Sequence, residues 1–524
     1  MNKLLVSLFL IFFLFGCASS GRDGARKVRA LLLEKKNEEA LNFAKSEDFY
    51  REDKDRLLKF MELGRLHFIN GNYYQALQNF DKSKETSDQL FTVSLSKKAS
   101  TILSNDNADN YYGERYERSL IRYYQSLTHY MLFINGKYES YTENVYAEDG
   151  KKTSERIVEE KILDDATKRF HLQAARSVLI EWDSLLSTFK SSTMGEATFK
   201  DDLIAKLYGA LIHETLGSSN DLSIAKNLYK SAKDILTRYY NLLPIYNGKS
   251  GEFRKDFEKL PNLNATEFKN YVLETENQKE LLSYIDERLK ALSGKANQNV
   301  HFLIEDHLIE PKTAKVFDIP MPAKMVPAGI AQGDTNFFKF TLSVVGTGGE
   351  LVPEPKFYYE LPQLKLDEKT RNLKIEIKDS NGAIVYSTKA VLANPLSVLG
   401  HFSVEEKSSS VALTTGARIL GKHLLALGSA YTLYQTQKEA MGEGLAMLGA
   451  TATYQIASKG IEASEQADLR SWATIPRSLY LASASLKPGN YQLIVNEDGK
   501  VVHQDTLTVS ENFKIQIKNL QILE

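Results

Sequence analysis

Phe60-Met61-Glu62-Leu63-Gly64-Arg65-Leu66-His67-Phe68-Ile69-Asn70-Gly71-Asn72-Tyr73-Tyr74-Gln75-Ala76-Leu77-Gln78-Asn79-Phe80 decides how the first half of the chain is read. Apolar residues recur at helical spacing on both sides of Asn70-Gly71, so the stretch predicts two helices joined by a tight turn. Gly64 and Ala76 are small where the two helices cross, and they permit close approach. Gly71 permits the turn. Phe60, Leu63, Tyr73 and Phe80 supply bulk between this pair and its neighbours.

The spacing Phe60-x2-Leu63-Gly64-x6-Gly71-x-Tyr73-x2-Ala76-x3-Phe80 resembles one tetratricopeptide (TPR) unit. His67 and Ser83 stand where that pattern expects Tyr and Ala. The second-helix pattern recurs as Ala225-x3-Tyr229-x2-Ala232, with weaker echoes at Asn37 to Ala44 and at Asn135-Gly136-Lys137-Tyr138. The separations are irregular, which predicts an irregular TPR-like array over 25–298. Within it, Leu163, Ala166, Phe170, Ala174, Val178, Trp182, Leu185 and Phe189 predict one apolar face of a long helix.

The texture changes near Asn299. Val300 to Ile304, Phe337 to Val345, Lys356 to Leu361 and the alternating Leu373-Lys374-Ile375-Glu376-Ile377-Lys378 predict strands, with a hairpin turn at Asp379-Ser380-Asn381-Gly382. Residues 299–408 read as the first part of an antiparallel β-domain. Residues 409–467 read as a Gly/Ala-rich helical insertion, bent near Met441–Gly444. Gly421, Gly428, Gly442 and Gly449 share one heptad position there and predict a stripe for close helix packing. The uncharged runs Leu424–Gln437 and Gly444–Ser458, at 14 and 15 residues, are short for a span, which takes about 20. Residues 468–524 carry further strands, predicted to complete the sheet begun before the insertion. The fold class expected is α+β: a TPR-like α-helical array, then a β-sandwich-like domain interrupted by a helical insertion.

Upstream of all this lies the single cysteine, Cys17, in Leu14-Phe15-Gly16-Cys17 after an apolar run from Leu4 to Phe15. The pattern resembles a bacterial lipoprotein signal, with 1–16 as signal peptide and 17–24 as lipidated cysteine and short polar tether. The resemblance implies attachment through acyl chains at Cys17. Ala18 after the cysteine resembles default sorting to the outer membrane, with the body in the periplasm. One cysteine excludes an intramolecular disulfide and a cysteine-based zinc site. A net charge of −1 argues against a nucleic-acid partner.

Asp468-Leu469-Arg470-Ser471-Trp472-Ala473-Thr474-Ile475-Pro476 resembles the closing signature of a family of bacterial lipoproteins without an assigned activity. Two further segments resemble that family in the same order: Gly113-Glu114-Arg115-Tyr116-Glu117, and Glu305-x5-Pro311-Lys312, in which the family's Gly is replaced. The resemblance implies envelope location and architecture and no catalytic residue. Asp468, Arg470, Ser471, Trp472 and Pro476 read either as a locking joint between insertion and β-domain or as a recognition loop, since Trp and Arg are frequent hot-spot residues.

Motifs for chemistry are sparse. Val345-Gly346-Thr347-Gly348-Gly349 lacks the following Lys-Ser/Thr of a phosphate loop, and His213-Glu214-Thr215-Leu216-Gly217 lacks the second His of a zinc-protease helix. His301, Glu305 and His307 alternate along one strand without further ligand spacing. No cofactor and no metal is expected. The sequence supports a non-enzymatic scaffold or assembly factor with an envelope protein or peptide as partner. Two alternatives stand beside it. One is a regulator of cell-wall synthesis, by analogy with TPR-bearing lipoproteins that activate penicillin-binding proteins. The other is a glycan binder or enzyme using converging carboxylates of the β-domain.

Overall fold

A computed structural model describes residues 20–97, 109–146, 152–191, 199, 201–238, 240, 243–247, 275–294, 298–320, 337, 340–341 and 356–523. The chain is mixed α+β. Its first half contains helices α1 (Ser20–Leu33), α2 (Asn37–Ala44), α3 (Arg56–Ile69), α4 (Tyr73–Lys97), α5 (Arg115–Asn135), α6 (Asp165–Ser191), α7 (Leu203–Leu216), α8 (Ser219–Arg238) and α9 (Glu276–Ala291). Residues 20–24, expected as tether, already belong to α1.

The opening stretch forms α3 and α4. Gly71 joins them at φ +76°, a conformation that favours glycine. A Cβ added at Gly64 would lie 2.8 Å from the Phe80 ring, which shows how closely the two helices approach. Gly64→Ala is therefore expected to destabilise the chain by about 1–3 kcal/mol through overpacking. Phe80→Leu in the same chain should return part of the loss; urea melts of both variants check this. Ala76, Ala225, Tyr229 and Ala232 are fully buried. Phe60 is half-buried beneath Lys82, whose ammonium stands 5.7 Å from its ring, and the half-buried Tyr73 meets Phe68 edge-on. Leu63 is also half-buried and packs against the main core.

Two expectations about this half are corrected. Asn135-Gly136-Lys137-Tyr138 is no helix start: Gly136 caps the end of α5. Lys137–Tyr138 is a short strand, β1, paired with β4 (Lys161–Ile162) beside the hairpin of β2 (Tyr141–Tyr146) and β3 (Lys152–Val158). On α6, Val178, Trp182, Leu185 and Phe189 are buried, but Phe170 is exposed. Repeated steps of four drift around a helix of 3.6 residues per turn, so Ala166 and Phe170 have rotated onto the outer face. The inner face instead continues through Ala175 and Leu172.

The second half contains strands β5 (Val300–Asp306), β6 (Thr313–Pro320), β7 (Lys356–Gln363), β8 (Leu373–Lys378), β9 (Ile384–Lys389) and β10 (Val391–Asn394). Helices α10 (Leu396–Met441) and α11 (Glu443–Ser464) follow, then β11 (Ser478–Ala484), β12 (Gly489–Glu497), β13 (Lys500–Val509) and β14 (Gln516–Ile522). Two four-stranded sheets form, in the orders β10-β11-β5-β14 and β13-β12-β8-β9. Each mixes strands from both sides of the helical insertion. β5 lies between two late strands, antiparallel to β11 and parallel to β14. It is buried along its whole length, which explains its nearly continuous apolar run. One hydrophobic core runs unbroken from Val28 to Leu523 through both halves.

The insertion starts earlier than expected. α10 begins at Leu396, directly after Pro395, whose ring favours a helix start. β10 and β11 are neighbours, so the α10–α11 hairpin is one long connection between paired strands. Of the expected strand Phe337 to Val345, the described residues Phe337, Phe340 and Thr341 are helical, and the others lie outside the described residues. Phe337 stacks on Tyr434, 4.9 Å away, inside a small hairpin core with Leu427, Ala430, Ala446, Ala450 and Tyr454.

The glycine stripe is corrected too. Among the described residues, no atom stands within 4 Å of a Cβ placed on Gly421, and only Gln437 Oε1, at 3.9 Å, approaches Gly449. Gly442 makes the hairpin bend at φ +82°. Gly428 lies half-buried on α10. Their common heptad position does not survive the bend at Gly442, which resets the helical phase.

Candidate functional site

The segments 113–117, 305–312 and 468–476 are far apart in sequence and meet in one place. Glu114 precedes α5 and caps it: its backbone N–H donates to Glu117 Oε2 at 2.9 Å, in a reciprocal capping box. Lys312, just before β6, donates to Glu114 Oε1 at 2.6 Å. The 468–476 segment leads from α11 into β11 and lies across α3 and α5. Arg470 anchors its start, with two bonds of 2.8 Å to Asp468, one of 2.9 Å to Asp55 and one of 3.1 Å to the Asp109 carbonyl. Its guanidinium also covers the Tyr111 ring. Ser471 is half-buried, and Pro476 is buried at the end of the segment.

Two buried carboxylates then hold the backbone. Trp472 N–H donates to Glu117 Oε1 at 2.9 Å. Ala473 N–H donates to Glu62 Oε1 at 2.6 Å, and the Thr474 hydroxyl donates to Glu62 Oε2 at 2.6 Å. Tyr111 OH donates to Glu117 as well. The Trp472 side chain is fully buried against Tyr124 and Phe80, with ring centres 5.7 and 6.3 Å away. Phe80 is the ring that fills the space beside Gly64. The α3–α4 crossing and the 468–476 segment therefore share one contact.

Beneath the loop, Arg65 of α3 and Glu305 of β5 form an ion pair with no exposed surface on either side chain. Arg65 Nε also donates to the Thr474 carbonyl at 3.3 Å, and its guanidinium stands 4.7 Å from the Tyr124 ring. Burial alone would lower the Arg65 pKa, but Glu305 and the adjoining tyrosines hold it above its ordinary value. A second charged layer lies alongside on the neighbouring backbone. Asp306 accepts from Arg371 at 2.9 Å and from Arg477 at 2.6 Å.

Electrostatics divide the carboxylates. Burial pushes Glu62 up to about 7; its bonds to Thr474 and Ala473 lower it only partly, and Glu117 nearby raises it further. Burial also favours the neutral form of Glu114, but Lys312 and Lys407 outweigh it and bring that carboxyl down to about 2. The consequences have opposite signs. The raised group, Glu62, penalises the folded state above pH 7 and stops doing so as pH falls toward its ordinary value of 4.5. The depressed group, Glu114, stabilises above pH 4.5 and loses that contribution as pH falls toward 2. Stability is expected to peak in the mildly acidic range. Glu62→Gln should remove the decline between pH 4.5 and 7, worth about 3 kcal/mol at about 1.4 kcal/mol per pH unit. Urea melts across pH check this; an unchanged decline over that range would contradict it.

A small cleft open to solvent adjoins the joint between the 468–476 segment, the base of the hairpin and β7. Glu114, Glu465 and Asp468 line it with Lys312, Lys407 and Arg418. Glu465 holds Arg418 and Lys422, both at 2.6 Å, and Asp468 holds Arg470. Glu360, which also lines the cleft, accepts from the Ala467 N–H at 3.3 Å.

The other sequence candidates fall elsewhere. Cys17 lies outside the described residues. Tyr229 donates to Glu214 at 2.7 Å, and Glu214 pairs with Arg288, in a separate buried cluster. His213 is bound to Asp221 at 2.8 Å. His301 meets Ser483 at 2.8 Å, away from the Glu305 pair. Trp182 donates to Ser119 at 2.7 Å inside the core. Among the described residues, no three His, Cys, Asp or Glu side chains gather as a metal site would require. Glu62 and Arg65 are not among the residues expected from the sequence; their signal there is two charges three residues apart among the apolar positions of the opening stretch. Comparison with protein-family models, characterised proteins and solved structures returns no match.

Proposed function

We propose that the protein is a non-enzymatic scaffold or assembly factor of the bacterial outer membrane, held by acyl chains on Cys17 with its body in the periplasm. In this reading the α3–α4 and α7–α8 pairs are TPR-like units, and the two larger sheets are a sandwich-like support. The family likeness carried by the three motif segments belongs to the same reading. The observation that carries it is the division of labour between motif and surface. The motif residues are engaged with one another in a buried joint, while the helical half presents exposed Phe170 and Ile180 on the outer face of α6 and exposed Ile157 and Ile162 on β3 and β4. Exposed apolar side chains of this size, when they cluster, mark protein contacts. Among the described residues no helix is long and apolar enough to cross a membrane.

A photo-crosslinking residue at position 170, activated in the cell, tests the scaffold reading. Recovery of one envelope protein in stoichiometric yield is expected; recovery of peptidoglycan fragments alone would overturn it. Cys17→Ser tests the anchor separately. The variant should leave the membrane fraction, and continued fractionation with the outer membrane would show that lipidation is not the attachment.

A further inference from the structure

The α10–α11 hairpin leaves a second apolar surface open. Leu445, Leu448 and Ile456 on α11 are 62, 57 and 57 % exposed. The outward face is a heptad-spaced row: Leu445, Gly449, Ala452, Ile456 and Lys459, all exposed. The inward side of α11 already has its partners, Leu427, Ala430 and Tyr434 of α10 together with Phe337. No charge occurs between Gly444 and Ser458.

We infer that this face docks on the same face of a second copy of the chain, α11 against α11 and antiparallel. The row Leu445, Gly449, Ala452, Ile456 has spacings of four, three and four, so it reads the same in both directions. A two-fold axis between Gly449 and Ala452 places Leu445 beside Ile456 of the second copy at both ends. It places Gly449 beside Ala452 in the middle, where small residues let two helices come close. Among the described residues only Gln437 Oε1, at 3.9 Å, approaches a Cβ placed on Gly449, which leaves room to receive them. The same register brings Lys459 to the bend of the second copy, where Glu439 and Glu443 are exposed. Lys438 at that bend is turned onto the Tyr434 ring, 6.0 Å away. Apolar, small and charged positions are all complementary in this one register. Two hairpins then make a four-helix arrangement, the usual way for such pairs to bury a remaining apolar stripe. A lipid surface suits the face less well, because tip-first insertion would bury Lys438, Glu439 and Glu443.

Sedimentation equilibrium of the full chain carrying Cys17→Ser, so that acyl chains do not drive association, tests the inference. The mass is expected to rise with concentration to twice that of the chain. Ile456→Glu and Leu445→Glu should each abolish the rise without lowering the melting temperature, since both positions are exposed. Leu425→Glu on α10, at a position 76 % exposed, should leave the dimer intact. Lys459→Glu should weaken it, and adding Glu443→Lys should restore it. A monomer at every concentration would overturn the inference, as would a dimer indifferent to Ile456→Glu. So would a monomer that floats with phosphatidylethanolamine–phosphatidylglycerol vesicles and loses that property with Ile456→Glu.

Discussion

Replacing Arg65 with Met is expected to destabilise the protein by about 3–5 kcal/mol, the usual consequence of leaving one member of a buried ion pair without its partner. Glu305 would remain fully buried near the end of β5 without its cation. The cost comes from that stranded charge more than from lost attraction. A second substitution should therefore recover most of the loss: Arg65→Met with Glu305→Leu removes both charges and keeps apolar volume. Such exchanges of a whole buried pair are often neutral or stabilising. Denaturant melts of the two single variants and the double variant give the coupling between the sites. Additive losses would mean that Arg65 and Glu305 do not act as a pair.

Trp472→Ala should cost a similar amount, about 3–5 kcal/mol, because a fully buried indole leaves a cavity that its surroundings fill only partly. The walls of that cavity are Phe80 from the helical half and Tyr124 from α5, while Trp472 itself leads into β11. The loss should appear as loosening between the halves. The variant also removes the bond from the indole N–H to the Thr474 hydroxyl, 3.1 Å, while Thr474 keeps its own bond to Glu62. Trp472→Phe should retain more than half of the stability. This substitution also decides between joint and recognition loop. A side chain with no exposed surface does not touch a partner in the folded protein, so partner binding measured well below the melting temperature should be unchanged.

The legible and illegible parts of the chain have physical reasons. Gly71, Ala76 and Phe80 were readable because helix crossing and turn chemistry are local, acting over fewer than 20 residues. Leu373–Lys378 was readable because one face of β8 is wet, and alternation records that. The placement of β5 between β11 and β14 was not readable, since a strand buried on both faces carries no periodicity and its partners lie far along the chain. Phe170 was misassigned because stepping by four residues looks like a face over two turns and drifts off it over four. Residues 468–476 are contiguous in the sequence, but their counterparts Glu62 and Arg65 lie some 400 positions earlier. Only the fold brings those charges together, and their burial separates them from the many solvated carboxylates with the same local sequence context.

The central claim is that the three motif segments form one joint that makes the helical half and the β-body a single cooperative unit. Native-state hydrogen exchange tests it most directly, by comparing the slowest amides of α7 with those of β5. The account predicts the same opening free energy for both in the wild type, and a split into two values in Trp472→Ala. Two different opening free energies in the wild type, or a common value that persists in Trp472→Ala, would contradict it.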